Sequence, residues 1–321
     1  VQMGPDRHRQ RPRDARHGRD LVHGGVADAL RGPEDPQQRP LARRTDARQI
    51  VQESYDAFSP NAGTIIREFF EKNWIDAELR PGKRGGAFCY AVAPELTPWV
   101  LMSYDGKARD LATLAHEFGH AIHGMLAADR SPLTFHASLP LAETASVFSE
   151  ILLNERLMKE ERDPAVRRDM LAYALDDAYV TVQRQANFTL FEREAHRLIQ
   201  AGATPDDVCA ACLDNLKNQF GDAVEVAEEF RWEWITVPHF YATPFYTYAY
   251  SFGQLFVLAL YEQYKREGEA FVPRYLKLLS YGGSAEPYRV LQEAGFDVAT
   301  PEFWQGAYDA LAAMLAELET L

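Results

Sequence analysis

A chain of 321 residues, 46% of them hydrophobic, has material for one large domain or two small ones. Its formal net charge of −13 argues against nucleic acid as a partner, and no run of roughly 18 apolar residues predicts a membrane span. The three cysteines, Cys89, Cys209 and Cys212, cannot all pair; with no apolar signal-peptide core at the N-terminus, they predict a reducing compartment, the cytoplasm.

Residues 1–48 form an Arg-rich head unlike the rest, with eleven arginines against seven acidic residues, no lysine and no aromatic side chain. So little apolar surface cannot offset chain entropy, which predicts disorder. A basic arm for an acidic partner is an alternative. A GC-rich gene read out of frame gives the same text, and the absence of lysine favours that reading. The remainder, 49–321, reads as one catalytic domain. Helices are expected over Ala47–Phe58 and Ala62–Asp76, the second with Ile65, Ile66, Phe69, Phe70 and Trp74 on its apolar face. The loop Pro81–Gly86 lacks the G-K-[ST] ending of a phosphate-binding loop. Ala87–Val92 and Trp99–Tyr104 read as short strands.

Asp110–Gly124 (DLATLAHEFGHAIHG) is the stretch the chain is organised around. Leu111, Leu114, Ala115, Phe118, Ala121 and Ile122 recur at helical spacing, with Asp110 as the expected N-cap and Gly124 as the expected stop. Within it His116, Glu117 and His120 spell H-E-x-x-H. Residues four apart stand one helical turn above each other, so both imidazoles can reach one metal ion. The intervening carboxylate can then take a proton from activated water, the arrangement of a zinc peptidase. Histidine pairs on helices more often cap or face solvent; His123 is expected to be a satisfied helix histidine rather than a ligand.

The third ligand must come from elsewhere. A helix expected from about Pro140 to Glu160 carries Glu143 in its first turn, among Leu139, Leu141, Ala142, Ala145, Val147 and Phe148. A carboxylate in such a setting is costly unless paired or metal-bound, although a first-turn glutamate is also favoured by the helix dipole. Glu150, two turns further on, could accept the second N–H of a ligand histidine. One or two long helices are expected over Asp163–Gln200, and Thr204-Pro205-Asp206 opens another. In that helix Cys209 and Cys212 read as small apolar filler. A tyrosine-rich segment follows, with His239, Tyr241, Tyr246, Tyr248 and Tyr250. It is either core or a set of hydrogen-bond donors for an oxyanion. Helix is expected from Phe245 to Gly268, three more helices to Leu321, and a flexible loop at Ser280–Ser284 that could border a cleft.

Four motifs then resemble one family in order: P-G-K-R-G-G-A-F-C at 81–89, H-E-F-G-H-A-I-H at 116–123, L-A-E-T-A-S-V-F-S-E at 141–150 and P-H-F-Y-x-x-P-F-Y-x-Y at 238–248. They look like the oligoendopeptidase F branch of the thimet oligopeptidase family, from about residue 47 to the end. The resemblance implies a mainly α, zincin-like helical catalytic domain with a small β-sheet beside the metal-binding helix. It implies one Zn2+ per chain at His116, His120 and Glu143, with Glu117 as catalytic base. His239 and Tyr248 would stabilise the transition state, with Tyr241 nearby, and Ala87 and Phe88 would bind substrate backbone. The implied function is hydrolysis of short peptides, with neither nucleic acid nor membrane as partner. The N-terminal helical half usual in that family is not in this sequence, so a partner or oligomer is expected over the face it would cover. The alternative is a truncated, inactive metal- or peptide-binding fragment; an aminopeptidase would need an acidic anchor that no motif supplies.

Overall fold

The computed structural model describes residues 44–321. The head expected over 1–48 therefore lies outside the described residues up to position 43, and from Arg44 the chain is already helical. In order come α1 (Arg44–Phe58), α2 (Pro60–Glu71), β1 (Ile75–Asp76), β2 (Phe88–Tyr90), β3 (Trp99–Leu101), α3 (Ala108–Leu126), α4 (Leu139–Ala142), α5 (Thr144–Glu160) and α6 (Pro164–Ala178). A π-helical segment, Tyr179–Arg184, leads to α7 (Gln185–Gln200) and α8 (Pro205–Phe220). A 3-10 stretch at Glu228–Thr236 precedes α9 (His239–Ala242), α10 (Tyr248–Glu267), α11 (Val272–Ser280), α12 (Pro287–Glu293) and α13 (Pro301–Thr320). The mainly α class with one small sheet is as expected. The described residues group into two compact units: a larger one up to Gln185 and from Tyr248 on, and a smaller one, Ala186–Thr247. Among the described residues no helix is long and apolar enough to cross a membrane.

In the larger unit, α2 starts where Ser59 Oγ accepts the Ala62 N–H and Pro60 supplies a first residue with no donor to lose. It ends earlier than the periodicity suggested. Asn73, at φ 55°, turns the chain out of the helix, and Ile75–Asp76 pair in parallel with Val100–Leu101. The apolar repeat that extended the expected helix to Asp76 was serving a strand for its last residues. The sheet order is β1-β3-β2, with β2 antiparallel to β3 and Phe88 opposite Leu101.

Both expected ends of the metal helix move outward. Asp110 is not the N-cap of α3 but its third residue, and its carboxylate accepts the N–H groups of Asp105 (2.7 Å) and Lys107 (3.1 Å). Gly124 is not the stop. The helix continues to Leu126, and a Cβ at 124 would lie 3.1 Å from Pro98 Cγ and 3.2 Å from Ala91 Cβ, so glycine there serves packing. The helix expected from Pro140 breaks at Glu143, between α4 and α5.

The core beneath is aromatic. Phe148 stacks on Tyr275 and Phe271 and meets Phe58, while Phe118 of α3 sits edge-on to Tyr55, Phe69 and Phe70. Burying each such ring stabilises by roughly 2–3 kcal/mol, which presses α3 against α5. Ser280–Ser284, expected to be flexible, is tied down. Arg130 Nε donates to Ser280 O (2.8 Å), and the Gly283 N–H donates to Thr134 O (2.9 Å).

The smaller unit folds around Phe191, Ala195, Val208, Cys212 and Leu216. Thr204 caps α8 reciprocally with Asp207, the helix start the sequence indicated. Cys209 and Cys212 are buried and form no disulfide, and Trp234 Nε1 donates to Cys209 Sγ at 3.5 Å.

Candidate metal centre and active site

The site is built on two helices at close quarters. On α3, His116 and His120 lie one turn apart with ring centroids 4.9 Å apart and nearly perpendicular. Facing them, the chain pauses at Glu143, whose backbone (φ −94°, ψ 3°) separates α4 from α5. From that break the carboxylate reaches across: its Oε2 lies 3.4 Å from His116 Nε2 and 3.3 Å from His120 Nε2. Three ligand atoms thus fall within 4.8 Å of one another, and among the described residues this is the group of histidine, cysteine and acidic side chains arranged to hold a metal. Glu143 is half-exposed rather than lodged on an apolar face, so the desolvation that first drew notice to it is not what orients it. Ser146 does that, donating from Oγ to Glu143 Oε2 at 2.7 Å.

Gly119 makes this geometry attainable. A Cβ there would lie 2.3 Å from Ala145 O and 2.5 Å from Ser146 Cα, inside van der Waals contact. The two helices approach backbone to backbone, and any side chain at 119 would push the Glu143 break away from the histidines.

The remaining predicted residues of the larger unit are Glu150, Glu117, Ala87, Phe88 and Tyr248. His116 Nδ1 meets Glu150 Oε1, so the ring's other nitrogen, Nε2, is left facing Glu143. Glu117 is buried, at 5% exposure, and accepts the Cys89 backbone N–H. Burial pushes its carboxyl up, while the neighbouring imidazoles and the Cys89 amide pull it back. Ala87 immediately precedes β2, and Phe88 is its first residue. His123 is buried outside the ligand group, and desolvation holds its imidazole down to about 4. Tyr248 is not packed as a core residue. It opens α10 at 52% exposure, and the helix starts there rather than at Phe245 because Phe245 takes a left-handed backbone (φ 58°).

The other two predicted residues belong to the smaller unit. His239 is buried at the start of α9, its imidazole held below its ordinary value by burial, with Glu192 pulling the other way. Its ring stacks parallel to Tyr246 at 6.0 Å. Tyr241 is 57% exposed, so the picture of a uniformly buried tyrosine core fails at both Tyr241 and Tyr248.

Three residues went unnoticed in the sequence. Ser146 could have been found as the polar residue one turn after Glu143. Tyr55, buried, donates to Ala115 O (2.9 Å) just before the metal motif, and only the tertiary fold brings it there. Glu192 interrupts the apolar stripe Phe188, Phe191, Ala195 on α7, and that interruption was the available signal.

The chain is similar to known peptidases. The sequence profile of Peptidase family M3 matches residues 52–310. The chain is 34% identical over 261 residues to oligopeptidase PepF of Bacillus subtilis, covering 80% of this chain and 39% of that protein. It is 31% identical over 262 residues to the plasmid oligoendopeptidase F of Lactococcus lactis subsp. cremoris, covering 80% and 43%. A solved structure described as a peptidase from Chlamydophila abortus superposes with a TM-score of 0.81 at 26% identity, over 88% of this chain and 48% of that one. Oligoendopeptidase F from Enterococcus faecium, at 24% identity, shares the fold with a TM-score of 0.63 over 88% of this chain and 44% of its own. The chain thus spans less than half the length of each of these relatives.

Proposed function

Because the chain belongs to Peptidase family M3, we propose that it carries the catalytic centre of a zinc-dependent metalloendopeptidase acting on short peptides. The observation behind this reading is the convergence of His116 Nε2, His120 Nε2 and Glu143 Oε2 within 4.8 Å, beside the buried carboxyl of Glu117. Two imidazoles and one carboxylate are a donor set that suits zinc in an open, catalytic site. Bound there, the ion would supply Lewis acidity toward water and toward a peptide carbonyl.

The chain's own residues do the rest. Glu143 is steadied by Ser146, and His116 is oriented by Glu150, so the ligand atoms need little rearrangement. Glu117 takes a proton from the water that attacks the carbonyl carbon and delivers it to the nitrogen as the C–N bond breaks. Its burial raises its proton affinity toward the range where one group can serve as base and then acid. Tyr248 and His239 are assigned as donors to the oxyanion, with Tyr241 near them and the main chain of Ala87 and Phe88 holding the substrate backbone. The exposure of Tyr248 and Tyr241 supports that assignment, since neither side chain is committed to a core. A cytoplasmic setting fits three cysteines that form no disulfide.

The test is zinc analysis together with hydrolysis of an internally quenched peptide. One zinc per chain is expected, with hydrolysis abolished by a chelator and both lost in Glu143→Ala. Hydrolysis that survives the chelator, or zinc uptake unchanged in Glu143→Ala, would overturn the assignment. Zinc uptake without hydrolysis would favour the alternative consistent with the short span of the chain against its relatives, a fragment that binds but does not cut.

A further inference from the structure

Within the smaller unit, one face of α7 grips the segment that follows α9. Thr189 Oγ1 lies 2.8 Å from Thr247 Oγ1. One turn on, Glu192 Oε1 accepts the Phe245 N–H at 2.8 Å. One further turn brings the His196 ring to 4.6 Å from the ring of Phe245. Positions 189, 192 and 196 are the three-and-four spacing that puts side chains on one helical stripe. The gripped residue is the unusual one. Phe245 has φ 58°, a conformation that an aromatic L-residue adopts only when its surroundings impose it.

Glu192 is the centre of the grip and a costly residue to place there. It is 2% exposed on an apolar stripe, and its second carboxyl oxygen, Oε2, is buried with no hydrogen-bond partner among the described residues. An apolar residue would fill this core at lower cost, and a buried acid left half satisfied calls for a reason other than stability. The reason available is what it holds. The Phe245 amide belongs to the same short segment as His239 and Tyr246, whose rings stack, and Phe240 between them packs on Phe188 and Phe191 of α7. A hydrogen bond to a carboxylate is about twice as strong as one between neutral groups, enough to hold a left-handed residue in one well.

We propose that Glu192 is a positioning residue for peptide hydrolysis: its buried carboxyl fixes the left-handed turn at Phe245 and thereby the orientation of His239. This rests on the reading of His239 as an oxyanion donor. Glu192 itself touches no substrate. The electrostatic pull of Glu192 on the buried His239 imidazole is consistent with their closeness.

Two measurements test it on the intact chain. In hydrogen–deuterium exchange, Glu192→Ala is expected to speed exchange over residues 243–247 at least tenfold, while Glu192→Gln, whose amide oxygen can still accept the Phe245 N–H, stays near the parent. In peptide turnover, Glu192→Ala is expected to lower kcat about tenfold with KM little changed, and Glu192→Gln to recover most of it. His239→Ala is run beside them. If His239→Ala leaves kcat unchanged, the donor reading fails, and with it the catalytic half of this proposal, whatever exchange shows. If His239→Ala lowers kcat while Glu192→Ala does not, the donor stands and positioning by Glu192 is overturned. Unchanged exchange in Glu192→Ala overturns the grip itself. Should Glu192→Ala fail to fold, Glu192→Gln and Glu192→Asp carry the test: the shorter Asp carboxyl must show the fast exchange and the lowered kcat that Gln does not.

Discussion

The α3–α5 pair and the segment around His239 put chemistry-bearing side chains in place by opposite means. On α3 and α5 the backbone is regular, and position follows from helical spacing, the aromatic core beneath and main-chain contact at Gly119. The ligand atoms are supported by Ser146 and Glu150, one or two turns along α5 from Glu143. Around His239 the backbone is irregular, one residue is left-handed, and the hold comes from side chains of a helix some fifty residues earlier. A site of three atoms that must converge can be written into short sequence motifs. An irregular turn is held instead by a side chain from a distant helix, at the expense of a buried acid.

The comparison is broken most forcefully on the regular side. Glu117→Gln keeps the shape of α3 and removes only the carboxylate proposed as the base. Zinc content should hold while turnover falls by on the order of 10²-fold or more. Activity within a few-fold of the parent would remove Glu117 from the role of base. Next comes Tyr248, which starts a helix immediately after the irregular segment. Losing an oxyanion donor in Tyr248→Phe should cost roughly 3 kcal/mol in the transition state, about a hundredfold in kcat, with KM nearly constant. A lowered melting temperature with unchanged turnover would mean that its hydroxyl is structural.

Much of the regular side could be read from the sequence, and the reason is physical. His116, Glu117 and His120 are related by the local period of one helix, so spacing alone brings them together; Glu143, on another segment, stood out only by the apolar residues around it. What failed were junctions. Asn73 ends α2 before the apolar repeat does, Glu143 breaks a helix that looked continuous, and Phe245 delays α10 by three residues. Each depends on contacts with distant chain, to which periodicity is blind. Glu192 was passed over because a single charge on an apolar stripe carries no pattern until its partner 53 residues away is in view.

Two smaller effects sharpen the contrast. Glu150→Ala frees the Nδ1 side of His116 without touching a ligand atom. Zinc affinity should fall about 10- to 100-fold, measured by competition with a chromophoric chelator, and an unchanged affinity would deny Glu150 its supporting part. The weakest effect is expected at His123. Burial first, then the neighbouring His120 and, against a pull from Glu143, His136 lower its folded pKa to about 4 from an ordinary 6.5. Between those values the unfolded chain binds a proton that the folded one refuses, so stability is lost as pH falls from 6.5 toward 4. Melting of the metal-free protein should therefore drop by several degrees across that window, and His123→Leu should flatten the slope. An equal slope in the variant would assign the loss to other groups.

Gly119 has a consequence for anyone who scans this chain by mutation. Every other amino acid carries a Cβ, so each missense change at that codon meets the carbonyl of Ala145. Position 119 will score as intolerant as a residue that handles protons, although it has no side chain to handle anything. In a tolerance map sorted by activity alone it would be grouped with Glu117. Sorted by yield of folded protein, the two would part: variants at Glu117 would remain abundant and silent, and variants at Gly119 would be missing from the folded pool.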